Sequence, residues 1–147
     1  MPKITIYTRE AANTKASAIK TALALSKLRL IQSSLVPNVT TTKAALEAAE
    51  ATFNGYTAGG YTLTAWSGPV NNPGSGALIT PPAVNVAWAN PDDDPIVTNE
   101  IGGWWIEDAT GNVRLVGTFE DTISMGQDGD GFTWLTQIVE GFNAPTE

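Results

Sequence analysis

Trp104-Trp105-Ile106-Glu107-Asp108-Ala109-Thr110-Gly111-Asn112-Val113-Arg114-Leu115-Val116-Gly117-Thr118-Phe119 decides the fold class. Two runs rich in aromatic and β-branched residues flank a short break carrying Asp, Gly and Asn, the pattern of a β-hairpin. Side chains alternate along a strand, so the neighbours Trp104 and Trp105 must point to opposite faces. One of them belongs to a core, and the other to a second packed face or a contact surface.

Working outward, Phe132, Trp134, Thr136 and Ile138 alternate as a last strand after the Gly-rich turn at 126–131. On the other side, Val84, Val86 and Trp88 share one face of a run that Pro91-Asp92-Asp93-Asp94-Pro95 ends. Tyr61–Trp66 also alternates, and the Pro/Gly/Asn/Ser-rich segment 68–76 reads as a loop. Before Gly59-Gly60 the pattern changes. Residues 10–26 are alanine-rich and read as a helix with Ile19, Leu23 and Ser26 on one face and Ala12 and Ala16 near it, a thin stripe. Lys27–Gln32 alternates as a strand, and Thr40-Thr41-Thr42 offers N-caps for a short helix over 43–51 anchored by Leu46. Ile4-Thr5-Ile6-Tyr7 has the alternation of a short strand. The expected fold is mainly β: an antiparallel β-sandwich or barrel with a short helix, preceded by a partly helical basic N-terminal arm. Residues 1–26 form the arm and 27–147 the acidic β-rich domain.

At 147 residues one domain is expected. No apolar run reaches the ~18–20 residues of a transmembrane helix. The first residues lack the apolar stretch of a signal peptide, so a soluble, non-exported chain is expected, with no membrane partner. The sequence has no His and no Cys. That excludes Ser–His–Asp and Cys–His catalysis, disulfides and the common zinc sites. A carboxylate pair, a Ser–Lys dyad or an oxygen-ligated metal remains for an enzyme.

The net charge of −7 is split along the chain. Residues 1–43 hold seven of the eight basic residues against one acid, a balance of +6, whereas 44–147 set Arg114 against fourteen acids, a balance of −13. The acidic part repels nucleic acid, and the basic part has Tyr7 as its only aromatic, so no nucleic-acid partner is expected. Docking on an acidic protein surface, such as a neighbouring copy's own body, suits these charges better. Solvated faces of a helix and a strand are the plainer alternative.

Asp92-Asp93-Asp94 clusters oxygens, but adjacent residues in an extended loop diverge, so a solvated loop tip outweighs a calcium site. Gln127-Asp128-Gly129-Asp130-Gly131 lacks the ligand pattern of a calcium loop and reads as a turn. Glu107/Asp108 and Glu120/Asp121 sit at strand ends and are the carboxylates a glycan hydrolase would use; acids capping a hairpin are the default. No metal, cofactor or catalytic residue is assigned. Five tryptophans are available for a core, an interface or a sugar platform.

Leu28-Arg29-Leu30-Ile31-Gln32, the run Thr42 to Ala51, and Ala51-Thr52-Phe53-Asn54-Gly55-Tyr56 together resemble a group of small tailed-phage virion proteins. Ile101–Asp108 is similar to that group's Gly-plus-aromatic strand before an acidic turn, and Val113–Phe119 with Met125 and Gly129-Asp130 to its next strand and loop. The resemblance spans about residues 27–142, and the first 26 residues depart from it. It implies a non-enzymatic virion structural protein on the capsid surface, of the decoration (cement) type. Its implied partners are the major capsid protein or neighbouring virion subunits, with a homo-oligomer whose trimeric form suits three-fold junctions. Lys3, Arg9, Lys15 and Lys20 in the arm, with Trp66 or Trp105 at an interface, are the expected contact residues. A tail or fibre module binding host glycans is the alternative; a small glycan hydrolase and an acidic β-domain of a cellular complex are further rivals.

Overall fold

The computed structural model describes residues 8–72 and 76–140, so the expected strand Ile4–Tyr7 and the contact residue Lys3 lie outside the described residues. Along the chain the elements are α1 (Arg9–Ala22), β1 (Ser26–Gln32), α2 (Lys43–Ala48), β2 (Tyr61–Leu63), β3 (Ser67–Asn72), β4 (Gly76–Thr80), β5 (Val84–Ala87), β6 (Asn99–Glu107), β7 (Val113–Met125), β8 (Gly131–Trp134) and β9 (Ile138–Glu140). The hairpin read from the sequence is β6–β7, with Glu107 opposite Val113 across the turn. Gly111 supplies the left-handed backbone of that turn, at φ 86°.

The strands form three antiparallel sheets, ordered β2-β1-β6-β7, β3-β4-β9 and β5-β8. With two helices among the described residues this is a mixed α/β arrangement, and none of the sheets they form closes into the barrel or sandwich expected from the pattern. Closure needs the outer strands to pair, and here β2 and β7 remain opposite edges of the four-stranded sheet.

Both faces of that sheet are covered. On one, Leu28, Leu30, Trp104, Ile106 and Phe119 pack against Val84, Val86, Phe132 and Trp134 of β5–β8. Edge-to-face contacts join Trp104 to Trp134 at 5.4 Å and Phe119 to Phe132 at 5.3 Å between ring centres. Such pairs contribute about 0.5–1.5 kcal/mol beyond area burial. On the other face, Ile31, Trp105, Val113 and Val116 lie under Leu46 of α2 and Leu35. The two neighbouring tryptophans therefore do face opposite ways, and each meets a packed layer.

Helix α1 begins at Thr8, whose hydroxyl accepts the Ala11 N–H at 3.1 Å. Ala12 and Ala16 are fully buried against Ala77 and Ile79 of β4, so small side chains let the helix sit close to the sheet. It ends at Ala22 rather than 26, because the Leu23 N–H returns to the Ile19 carbonyl and Leu25, at φ 56°, turns the chain into β1. Leu23 itself enters the core beside Leu28, Leu63, Ile106 and Trp134. From Thr8 onward the basic segment thus lies along the sheets.

Three local readings change. Residues 68–72, expected as loop, belong to β3, because pairing with β4 outweighs the turn preferences of Gly, Pro and Asn. The Tyr61–Trp66 run is a strand only to Leu63, where pairing with β1 stops. The last expected strand divides at 135–137, since β8 pairs with β5 and β9 with β4 of a different sheet.

Candidate functional site

The most concentrated charge among the described residues lies between β1, β6 and α2. Arg29, alternating with Leu28 and Leu30, projects to the α2 face of the sheet. Thr42 caps α2 by accepting the Ala45 N–H at 3.2 Å, and the chain beyond the helix is stitched to β1 by Gln32 N–H to Ala49 O at 2.8 Å and Ala51 N–H to Leu30 O at 2.9 Å. This places Glu50 against Arg29. The guanidinium donates to both carboxylate oxygens, Nε to Oε1 at 3.0 Å and Nη2 to Oε2 at 2.6 Å, the fork geometry that suits Arg. Its Nη1 donates to Glu107 Oε1 at 3.0 Å, and its plane covers the Trp105 ring at 4.6 Å from the centroid. Trp105 Nε1 donates to Glu107 Oε2 at 3.3 Å, and Lys43 Nζ lies 3.6 Å from the same oxygen. Glu50 also accepts the Tyr56 hydroxyl at 2.8 Å and the Gly59 N–H at 2.9 Å.

Side-chain exposures of 10% for Arg29, 11% for Glu50 and 9% for Glu107 make this a buried network. Burial pushes the Glu50 pKa up, but hydrogen bonds from Arg29, Gly59 and Tyr56 outweigh it and hold the carboxyl below its ordinary value. The hydrogen bond to Glu50 raises the Arg29 pKa well above its usual range in spite of burial. Burial raises the Tyr56 phenol far above its usual value; the Leu30 N–H on its oxygen opposes this, and the Glu50 carboxylate adds to it. Around neutral pH Arg29 and Glu50 stay charged and Tyr56 neutral. The arrangement fixes α2 and the 49–59 segment on the sheet.

The remaining carboxylate candidates separate. Asp108, adjacent to Glu107, caps the hairpin turn: Oδ1 accepts from the Thr110 and Asn112 N–H groups and the Thr110 hydroxyl, and Oδ2 from Arg114 Nε at 2.7 Å. These bonds, led by the Thr110 hydroxyl, keep its carboxyl well below the ordinary range. Glu120 and Asp121 are exposed on β7. Asp130 Oδ2 accepts the Gly126 and Gln127 N–H groups at 2.8 and 3.0 Å, closing the turn. Asp92–Asp94 are exposed, and no group of three or more acidic side chains gathers as a metal site among the described residues.

Of the contact residues expected from the sequence, Arg9 is exposed at the start of α1. Lys15 is exposed, and Lys20 is half-buried with Nζ donating to the Gly68 carbonyl at 2.7 Å. At about 3.6 residues per turn, Arg9 and Lys20 flank one side of the buried alanine stripe and Lys15 the other, so the helix gathers no single cationic patch. Trp66 is half-buried against α1 and Ile138, and its indole N–H meets no acceptor among the described residues. Trp105 is completely buried. None of the five tryptophans is exposed.

Sequence reasoning missed the role of Arg29 and Glu50; the available signal was one Arg inside the apolar run Leu28–Ile31. It also missed two asparagine staples. Buried Asn99 accepts the Thr52 and Phe53 N–H groups at 2.5 and 2.9 Å. Asn54 holds the acidic loop, accepting the Val97 N–H at 2.5 Å and donating to Asn90 Oδ1 and the Pro95 carbonyl at 3.3 Å. Among the described residues no helix is long and apolar enough to cross a membrane. No protein-family model, curated protein or solved structure matches the chain.

Proposed function

We propose that the chain is a non-enzymatic structural component of a tailed-phage particle, a decoration protein that binds the outside of the head across junctions between capsid subunits. One observation carries this reading. The stretches that resemble the virion proteins converge on one network: Arg29 from the first, Glu50 from the second, Tyr56 from the third and Glu107 from the Gly-plus-aromatic strand. Residues that look like motifs are thereby accounted for by architecture. A protein of this type stabilises only the assembled shell, because it binds the junction and not the free subunit. Many modest contacts suffice through multivalent attachment, and a closed homo-oligomer, a trimer at a three-fold junction, multiplies them. The tail or fibre alternative asks for exposed aromatic platforms, which the buried and half-buried tryptophans do not supply.

The test is the copy number per purified particle, by quantitative mass spectrometry of the phage or prophage particle that encodes the chain. Hundreds of copies are expected. A dozen or fewer would move the protein to the tail or portal, and none would overturn the reading.

A further inference from the structure

β7, the longest strand of the described fold, stands at the edge of its sheet. β6 pairs with one side of it, and among the described residues no strand or main-chain hydrogen bond reaches the other side of Val113–Thr118. Grooves flank this edge on both faces of the sheet. One, of about 440 Å³, runs between Val113–Val116 and the loop carrying Val39, which is 99% exposed. The other, of about 250 Å³, lies between Leu115, Ile19, Leu23 and Ile138. An added strand would hydrogen-bond along the edge and send alternate side chains into the two grooves, the geometry of β-augmentation.

We propose that the occupant is β7 of a second copy, paired antiparallel about a two-fold axis at Gly117. In this register Leu115 lies opposite Phe119 of the second copy and Val116 opposite its Thr118. Directly opposed residues share a face, and Leu115 and Phe119 both already line the main core face. The apolar layer therefore continues across the join. At the ends, Arg114 meets Glu120 of the second copy. Arg114 binds Asp108 through Nε at 2.7 Å and is half exposed, which leaves its Nη groups for this contact. A parallel in-register stack would set Arg against Arg and Glu against Glu. Charge thus selects the closed two-fold pair over an open stack. The β6–β7 register slips between Ile106–Leu115 and Glu107–Val113 and again between Gly103–Thr118 and Ile101–Ile123, so the regular part of the edge is Leu115–Thr118, and Arg114 and Glu120 lie in the two irregularities that bound it. Two four-stranded sheets become one continuous sheet. This two-fold contact is separate from the three-fold homo-oligomer proposed on the particle and forms in free solution.

Sedimentation equilibrium of the full chain, from micromolar to millimolar concentration, is the first measurement. A monomer–dimer equilibrium that weakens with added salt is expected. Glu120→Lys, at an exposed position, replaces attraction by repulsion in two symmetric pairs and should weaken the dimer about tenfold. Because the sequence has no Cys, Thr118→Cys carries a single nitroxide. Two such labels lie about 8–9 Å apart between α-carbons in the proposed register, whereas labels at Asp121→Cys lie well over ~20 Å apart. Strong dipolar broadening at 118 and none at 121 is expected. A monomer at all concentrations, a dimer indifferent to Glu120→Lys, or a dimer without broadening at 118 would each overturn the proposal.

Discussion

Replacing Arg29 with methionine keeps much of the apolar stem and removes the guanidinium. Glu50 and Glu107, both about nine-tenths buried, then lose the cation that lies between them. Removing one partner of a buried ion pair costs about 3–5 kcal/mol, mostly for the charge left behind. Lys43, 3.6 Å from Glu107 and 42% exposed, supplies partial compensation, which favours the lower end. For a chain of this size about 2–4 °C accompanies each kcal/mol, so the melting temperature should fall by roughly 6–20 °C at pH 7. The pH dependence sharpens the test. In the unmodified protein the Glu50 pKa is depressed below 4.5, so its contribution is complete above that pH and is lost as pH falls through the folded value. In the variant burial acts on Glu50 without a cation and raises its pKa, so mild acidification neutralises it. The stability gap should therefore narrow between pH 7 and about pH 4. Urea denaturation followed by tryptophan fluorescence measures both quantities, and Arg29→Met/Glu50→Gln should recover part of the loss. A cost below about 1 kcal/mol at pH 7, the worth of an exposed pair, would refute the reasoning, as would a gap that does not change with pH.

Asn99→Ala removes the acceptor of the buried Phe53 N–H and should destabilise by about 1–3 kcal/mol in urea titrations. Ala16→Leu forces a larger side chain between α1 and β4, where Ala16 has no exposed surface, and should cost about 1–3 kcal/mol by the same assay. Asp108→Asn removes the charge that holds the hairpin turn. It should lower the melting temperature at neutral pH and speed exchange of the Thr110 and Asn112 amides. That penalty should shrink as acid protonates Asp108 in the unmodified protein, through a folded pKa well below the ordinary value.

Periodicity was readable wherever local pairing set the structure. The β6–β7 hairpin, the opposed tryptophans, the Thr42 cap and the shared face of Val84, Val86 and Trp88 all follow from spacing of one or two residues. Readings failed where a distant partner decided. Ser67–Asn72 looks like a loop in isolation and is a strand because β4 lies beside it. Phe132 to Ile138 looks like one strand and is two, because its halves join different sheets. The Arg29 network was hidden for the same reason: Arg29 and Glu50 are 21 positions apart, and Arg29 and Glu107 are 78 apart. Glu107 was visible as a carboxylate at a strand end, but nothing local distinguished it from Asp108, whose side chain serves a turn.

The charge split along the sequence is not the charge split in space. Of the seven basic residues in the first 43, Arg29 and Lys43 are paired with acids of the chain's own body, and Lys20 is bound to a backbone carbonyl. Glu47, Glu50 and Glu107 of the acidic part thus already meet cations of the basic segment. The same packing changes how docking by this segment can be tested. Deleting residues 2–26 would remove Ala12, Ala16 and Leu23 from the core along with the charges, so lost particle binding would not separate docking from folding. Reversing Arg9 alone, exposed at the head of α1, changes the charge while sparing the buried stripe. Occupancy on the particle then reads docking by itself, and an unchanged melting temperature shows that the comparison is fair.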